Sequence, residues 1–188
     1  MNIRAALLTG LVACFLVTPA FAQEGSSTTD ATSAAARKPA PEMDQLKPLV
    51  GNWACTGEVF ESAFGKAHPT SGIQTFRPEL SGFWIGSRIE EDKTPQNPAP
   101  LRAAGAVTYD SSKKKFVAIG YDNLGGYAIE TADAAVDNAV YTGSFFLNGT
   151  ETKVRDTYTM KGNEMHHLGE IQVGSDWKKL DQETCKRK

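Results

Sequence analysis

Between Cys55 and Cys185 the chain is cut into ten short segments of alternating polar and apolar residues, separated by turn chemistry. Side chains that point alternately to the two faces of a strand impose a period of two, whereas a helix needs a period near 3.6. The segments lie at about 51–60, 71–79, 82–92, 101–110, 115–122, 126–132, 138–147, 150–160, 164–172 and 175–185. Asn148-Gly149 is the strongest hairpin signal among the connections. Asp110-Ser111-Ser112-Lys113 and Lys161-Gly162-Asn163 are further polar turns. Thr94 to Pro100 reads as a Pro-rich loop, and Phe64 to Thr70 as a second long connection. Strands joined mostly by tight turns predict an all-β, antiparallel up-and-down barrel rather than an α/β fold. Helical spacing occurs at Met43, Leu46 and Leu49/Val50, where Pro48 limits the helix to one or two turns.

The two cysteines sit at the ends of this array, so a bond between Cys55 and Cys185 would covalently close the sheet. The compartment bears on that pairing. Met1 to Arg4 supply a positive charge, Ala5 to Val17 are apolar, and Thr18-Pro19-Ala20-Phe21-Ala22 offers an A-x-A cleavage site. Residues 1–22 therefore read as a signal peptide for the periplasm or the exterior, and the run is too short to span a membrane. Leu11-Val12-Ala13-Cys14 also fits lipoprotein processing, although the apolar core continues past Cys14. Cleavage after Ala22 leaves two cysteines in a chain bound for an oxidising space, which favours a disulfide. Free thiols or an intermolecular bridge are the alternatives. A zinc site is not expected, because no CxxC or neighbouring His accompanies either cysteine.

The whole chain carries a net charge of −2, and removing residues 1–22 removes only Arg4. Nucleic acid and anionic membranes, which usually require a basic face, are thereby disfavoured as partners. Residues 23–41 are rich in Ser, Thr, Ala and Pro and read as a flexible leader. The remainder, 42–188, is the size of one domain. Asn148-Gly149-Thr150 also matches a glycosylation sequon, but the hairpin accounts for the same residues.

Alternation assigns faces to the strands. Phe83, Ile85 and Ile89 share one; Leu101, Ala103, Gly105, Val107 and Tyr109 share another. Val154, Asp156, Tyr158 and Met160 face together, as do Met165, His167, Gly169 and Ile171. Asp156 and His167 are thus polar residues on apolar faces. One reading is a buried pair that satisfies itself; the other is a polar handle inside a ligand pocket. Ala103 and Gly105 would leave room in a barrel, or mark close packing. Tyr121 to Tyr127, with Gly125-Gly126, reads as a hairpin connection or as a loop at a binding mouth.

Gly51-Asn52-Trp53, following a short helix at the start of the first strand, resembles the Gly-x-Trp opening of lipocalin and calycin barrels. There the Trp plugs one barrel end, which implies structural roles for Gly51 and Trp53. The stretch Leu46 to Gly57, Tyr109-Asp110 before Lys115-Phe116-Val117, Asp122-Asn123-Leu124-Gly125-Gly126 and the terminal Cys185 resemble a family of exported bacterial lipocalin-like domains of uncharacterised function. A more distant resemblance is to nitrobindin-type barrels, which implies haem binding with His167 as the ligand. His166 cannot join it on one metal, since neighbours on a strand point to opposite faces.

Three function classes follow. The first is a non-enzymatic barrel holding a small apolar or amphipathic ligand, with Phe83, Ile85, Tyr109, Asp156, Tyr158 and His167 as its wall. The second is a structural or interaction protein of the cell envelope, filled by its own side chains. The third is an acid–base enzyme using Asp156, Tyr158 and His167. Neither a catalytic residue nor a metal or cofactor is expected, haem being the alternative.

Overall fold

Every expected segment is a strand, with ends that differ by at most three residues. A computed structural model describes residues 37–188 of the chain, and Arg37–Lys188 form one compact unit. The expected signal peptide, Cys14 and the expected leader up to residue 36 lie outside the described residues. The strands are β1 (Gly51–Val59), β2 (His68–Glu79), β3 (Trp84–Glu91), β4 (Arg102–Asp110) and β5 (Lys115–Asp122). They continue with β6 (Tyr127–Ala132), β7 (Ala139–Leu147), β8 (Thr150–Lys161), β9 (Glu164–Val173) and β10 (Asp176–Arg187). Each pairs antiparallel with its neighbours in sequence, and β1 pairs with β10 to close the barrel. Closure removes the unpaired edges that an open sheet would expose. Asn148 and Gly149 both take positive φ in the β7–β8 hairpin, as that turn requires.

The closing seam carries the cross-link. Cys55 lies directly opposite Cys185 in the β1–β10 register, and the two form a disulfide across 130 residues of sequence. Pairing the first strand with the last is the least local event in the fold, so a bond there constrains the largest loop of the unfolded chain.

One end of the barrel is plugged from the sequence just before β1. Pro41–Leu49 form a 3-10 helix whose buried residues are Met43, Leu46 and Leu49, one per three-residue turn. Beneath it Trp53 is fully buried and donates its indole N–H to the Leu49 carbonyl at 2.7 Å. The Arg187 guanidinium lies 4.3 Å from the Trp53 ring and donates to the Val50 carbonyl at 2.6 Å. Gly51 makes this possible. Its φ is +141°, and a Cβ there would stand 2.7 Å from the Arg187 Nη1. Cys185, Met165, Phe116 and Ile85 complete the apolar floor.

Three local departures from the sequence reading matter for the site. β2 begins at His68, inside the stretch expected to be a connection. Phe83 precedes β3, because Leu80, Ser81 and Gly82 all take positive φ and turn the chain before it becomes extended. In β10 the register slips between Lys179 and Asp181, a bulge that turns Trp177 and Lys179 outward while Asp181 faces in with Cys185. Arg155 accordingly lies 4.5 Å over the Trp177 ring on the outer face, and pairs with Glu170 at 2.7 Å. No helix among the described residues is long and apolar enough to cross a membrane.

Candidate functional site

Adjacent rows of β8, β9 and β10 assemble a charged cluster on the inner wall. Asp156, Gly169 and Asp181 are opposite one another, and Tyr158, His167 and Glu183 form the next row. His167 reaches Asp156 Oδ1 from Nε2 at 2.9 Å and Asp181 Oδ2 from Nδ1 at 3.1 Å. Both ring nitrogens are therefore donors, the arrangement of an imidazolium held between two carboxylates. Gly169 makes room for them: a Cβ there would lie 2.3 Å from Asp181 Oδ1 and 3.2 Å from Asp156 Oδ1. Tyr158 stacks on the His167 ring at 4.7 Å, and Tyr141 meets Tyr158 edge-on at 5.9 Å while donating its hydroxyl to the Ala135 carbonyl. His166 points outward, 2.8 Å from Glu164, as alternation requires.

Charge within the cluster is set by burial against pairing. Burial alone would lower the His167 pKa, but the Asp181 charge and the hydrogen bonds to Asp156 and Asp181 carry it well above its ordinary 6.5. Asp156 shows the mirror image. Burial would raise its pKa, and the hydrogen bond and charge of His167 bring it below 3.8. Glu130 on β6 has no such cation beside it. Burial, then the Asp156 charge and a shared hydrogen bond with Asp156, push it up to about 9, so it is protonated at neutral pH. Glu183 is also raised, first by burial.

These shifts predict where on the pH scale the fold is strongest. Glu130 keeps a proton in the folded state that the unfolded chain releases above 4.5, so stability falls as pH climbs from 4.5 to about 9. His167, raised above 6.5, contributes stability that is complete below that value and is lost as pH rises through its folded pKa. Asp156, lowered below 3.8, contributes above that value and loses its contribution as pH falls through its folded pKa. Maximum stability is expected on the acid side of neutral, with a decline toward pH 9 of about 1.4 kcal/mol per pH unit for each group titrating alone. Urea titrations at pH 5.5, 7.0 and 8.5 measure this, and Glu130→Gln should flatten the slope. Equal or greater stability at pH 8.5 would contradict the assignment.

Against this cluster runs a cavity of about 240 Å³. It extends from Leu49 at the plugged end to Leu101 and Asp122 at the opposite ends of the strands, with Asp156, Tyr158 and Glu130 on one wall and Gln74 on another. A barrel of about eight strands is just filled by its side chains, so ten leave a lumen. The small residues Ala103, Gly105, Ala118 and Ala128 keep it open. Near the mouth Phe64, in the β1–β2 connection, meets Phe145 edge-on at 5.4 Å. Tyr121 to Tyr127 form a hairpin turn in which Asp122 accepts hydrogen bonds from the N–H groups of Leu124 and Gly126.

The residues expected as a ligand wall divide into two groups. Asp156 and Tyr158 line the cavity, with His167 directly behind them. Phe83, Ile85 and Tyr109 do not line it. Ile85 belongs to the buried floor, Tyr109 packs edge-on against Phe116 at 5.1 Å, and Phe83 sits in the turn before β3. Ile85 and Tyr109 share a face with lining residues, yet lie toward the plugged end of their strands, where the helix fills the lumen. Conversely, nothing in the sequence singles out Glu130, Gln74, Asp181 or Glu183. A lone acid or amide in a strand carries no signal until the strands are aligned around the barrel.

Two arrangements of possible ligands fail on chemistry. His167 has no free ring nitrogen to present to a haem iron, since a carboxylate occupies each. Cys55, Glu183 and Cys185 lie within metal-ligating reach of one another, but the sulfurs are spent on the disulfide.

Among solved structures, the chain resembles the protein titled "Crystal Structure of Rv2717c from M. tuberculosis", with a TM-score of 0.65 and 15% sequence identity over 80% of this chain and 99% of that one. At that identity the likeness concerns the fold. No curated protein matches the chain. Residues 38–180, the greater part of the barrel, match the family model described as "Protein of unknown function (DUF1579)", and the chain belongs to that family.

Proposed function

We propose that this protein is an exported, disulfide-closed, lipocalin-like barrel that holds one small apolar or amphipathic molecule in its lumen. The observation that carries the reading is the 240 Å³ cavity, apolar along most of its wall, with polar groups gathered beside Asp156. Ligand pockets combine these two features, and this one lies just below their usual range of about 300–1,000 Å³, which limits it to a small molecule. The Cys55–Cys185 bond fits an oxidising compartment such as the periplasm or the exterior.

Native mass spectrometry of protein purified from an oxidising compartment tests the reading, with an absorption spectrum alongside. A retained small-molecule mass that disappears on denaturation is expected. Ala103→Phe, which places a ring in the lumen, should abolish retention while the melting transition stays cooperative. Equal retention by Ala103→Phe would place the molecule elsewhere, and no retained or added ligand under any condition would leave the filled-barrel alternative.

A further inference from the structure

The cavity wall contains polar groups that the protein leaves without partners. Gln74 and Glu130 are each 7% exposed, and both line the cavity. Glu130 shares a hydrogen bond with Asp156, another acid, and no N–H among the described residues donates to its carboxyl. The Gln74 amide and the Tyr158 hydroxyl make no hydrogen bond within the described protein. No side-chain nitrogen or oxygen among the described residues is both inaccessible and unpaired. These groups therefore meet the open lumen, and a buried polar group without a partner is costly enough to call for one.

The sign of the missing partner follows from the wall. Its ionisable carboxyls are Asp122, Glu130 and Asp156, and neither lysine nor arginine lines the cavity. His167 is already held by two carboxylates. A carboxylate- or phosphate-headed ligand would find acids in front of it and no countercharge. An ammonium would find acceptors, with the Tyr158 and Tyr141 rings in the same wall.

We propose that the ligand of this cavity is a small amphipathic cation, an amine whose ammonium lies against Glu130 and Asp156 while its apolar body fills the lumen. The inference rests on the reading that the lumen binds a ligand, and it names the chemical class. Binding also moves a proton. Without a cation beside it Glu130 is protonated, facing Asp156 and Tyr158 from β8 and Tyr141 from β7, with the His167–Asp181 pair of β9 and β10 behind them. An ammonium beside it favours the carboxylate, so the Glu130 proton leaves to solvent as the amine enters. No bond to the ligand is made or broken.

The test uses three probes with one apolar body: 2-phenylethylamine, 2-phenylethanol and 3-phenylpropanoate, titrated calorimetrically into the purified protein at pH 7.5. The amine should bind at least about ten-fold more tightly than the alcohol, a difference of about 1.4 kcal/mol, and the anion least of all. Repeating the amine titration in buffers of different ionisation enthalpy should show close to one proton released per amine bound. Glu130→Gln, nearly isosteric, should erase the amine's advantage over the alcohol and its proton release. Alcohol or anion binding as tightly as the amine would overturn the cation assignment and leave the ligand-binding reading intact. Binding of none of the three would overturn both. An undiminished amine preference in a folded Glu130→Gln protein would overturn the role given to that residue.

Discussion

Reduction of the Cys55–Cys185 bond is expected to destabilise the barrel by about 4–5 kcal/mol, because it frees a loop of 130 residues in the unfolded chain. For a domain of this size that corresponds to a fall in Tm on the order of 10–15 °C. The bond sits at the β1–β10 seam, where no local contact helps to bring the partners together. The loss should therefore appear mainly as an entropic gain of the unfolded state, with the native absorption and circular dichroism unchanged before melting. Thermal melts with and without reductant measure it, beside a thiol titration that should find no free thiol before reduction. A shift smaller than about 3 °C would mean that the seam holds without its bond, and two titratable thiols in the oxidised protein would remove the bond itself.

His167→Leu is expected to cost about 3–5 kcal/mol, the penalty for leaving buried charge without its partner. Asp156 and Asp181 would then face each other across Gly169 with Glu130 close by, and no cation between them. Asp156 would lose the hydrogen bond and charge of His167 that hold its pKa down, so the variant should recover part of its stability on acidification to pH 5. The apolar volume is nearly conserved, which separates this electrostatic loss from a packing defect. Urea unfolding of both proteins at pH 5 and pH 7 gives the comparison. A cost below about 1 kcal/mol at pH 7 would show that the carboxylates are solvated without the imidazole, and that the cluster does not govern the pH dependence described above.

Periodicity made the architecture legible. Ten alternating stretches and their turn residues specify ten strands, since each strand's inward face is decided within about ten residues of sequence. Asn148-Gly149 located a hairpin for the same local reason, and the i, i+3 spacing of Met43, Leu46 and Leu49 located the plugging helix. The cysteine count, read with an expected export signal, favoured a bond between Cys55 and Cys185 over free thiols or an intermolecular bridge, and the structure contains that bond. Alternation also placed Asp156 and His167 on an inner face.

What alternation could not supply is height along the barrel axis and neighbourhood around it. Ile85 and Tyr109 face the same way as true lining residues, yet lie where the helix and Trp53 fill the lumen, and Phe83 sits in the turn before its strand begins. Glu130 comes from β6, Asp181 from β10 behind a bulge, and Gln74 from β2, so their meeting depends on the register of nearly the whole sheet. The sequence by itself determined which residues are strand and, where alternation is unbroken, which residues of a strand share a face, and it favoured Cys55 and Cys185 as the lock of the seam, because those properties are local or counted. Only the tertiary structure decided that an imidazolium sits between two carboxylates beside a protonated acid at the wall of a cavity. That arrangement is set by register and closure, which are properties of all ten strands at once.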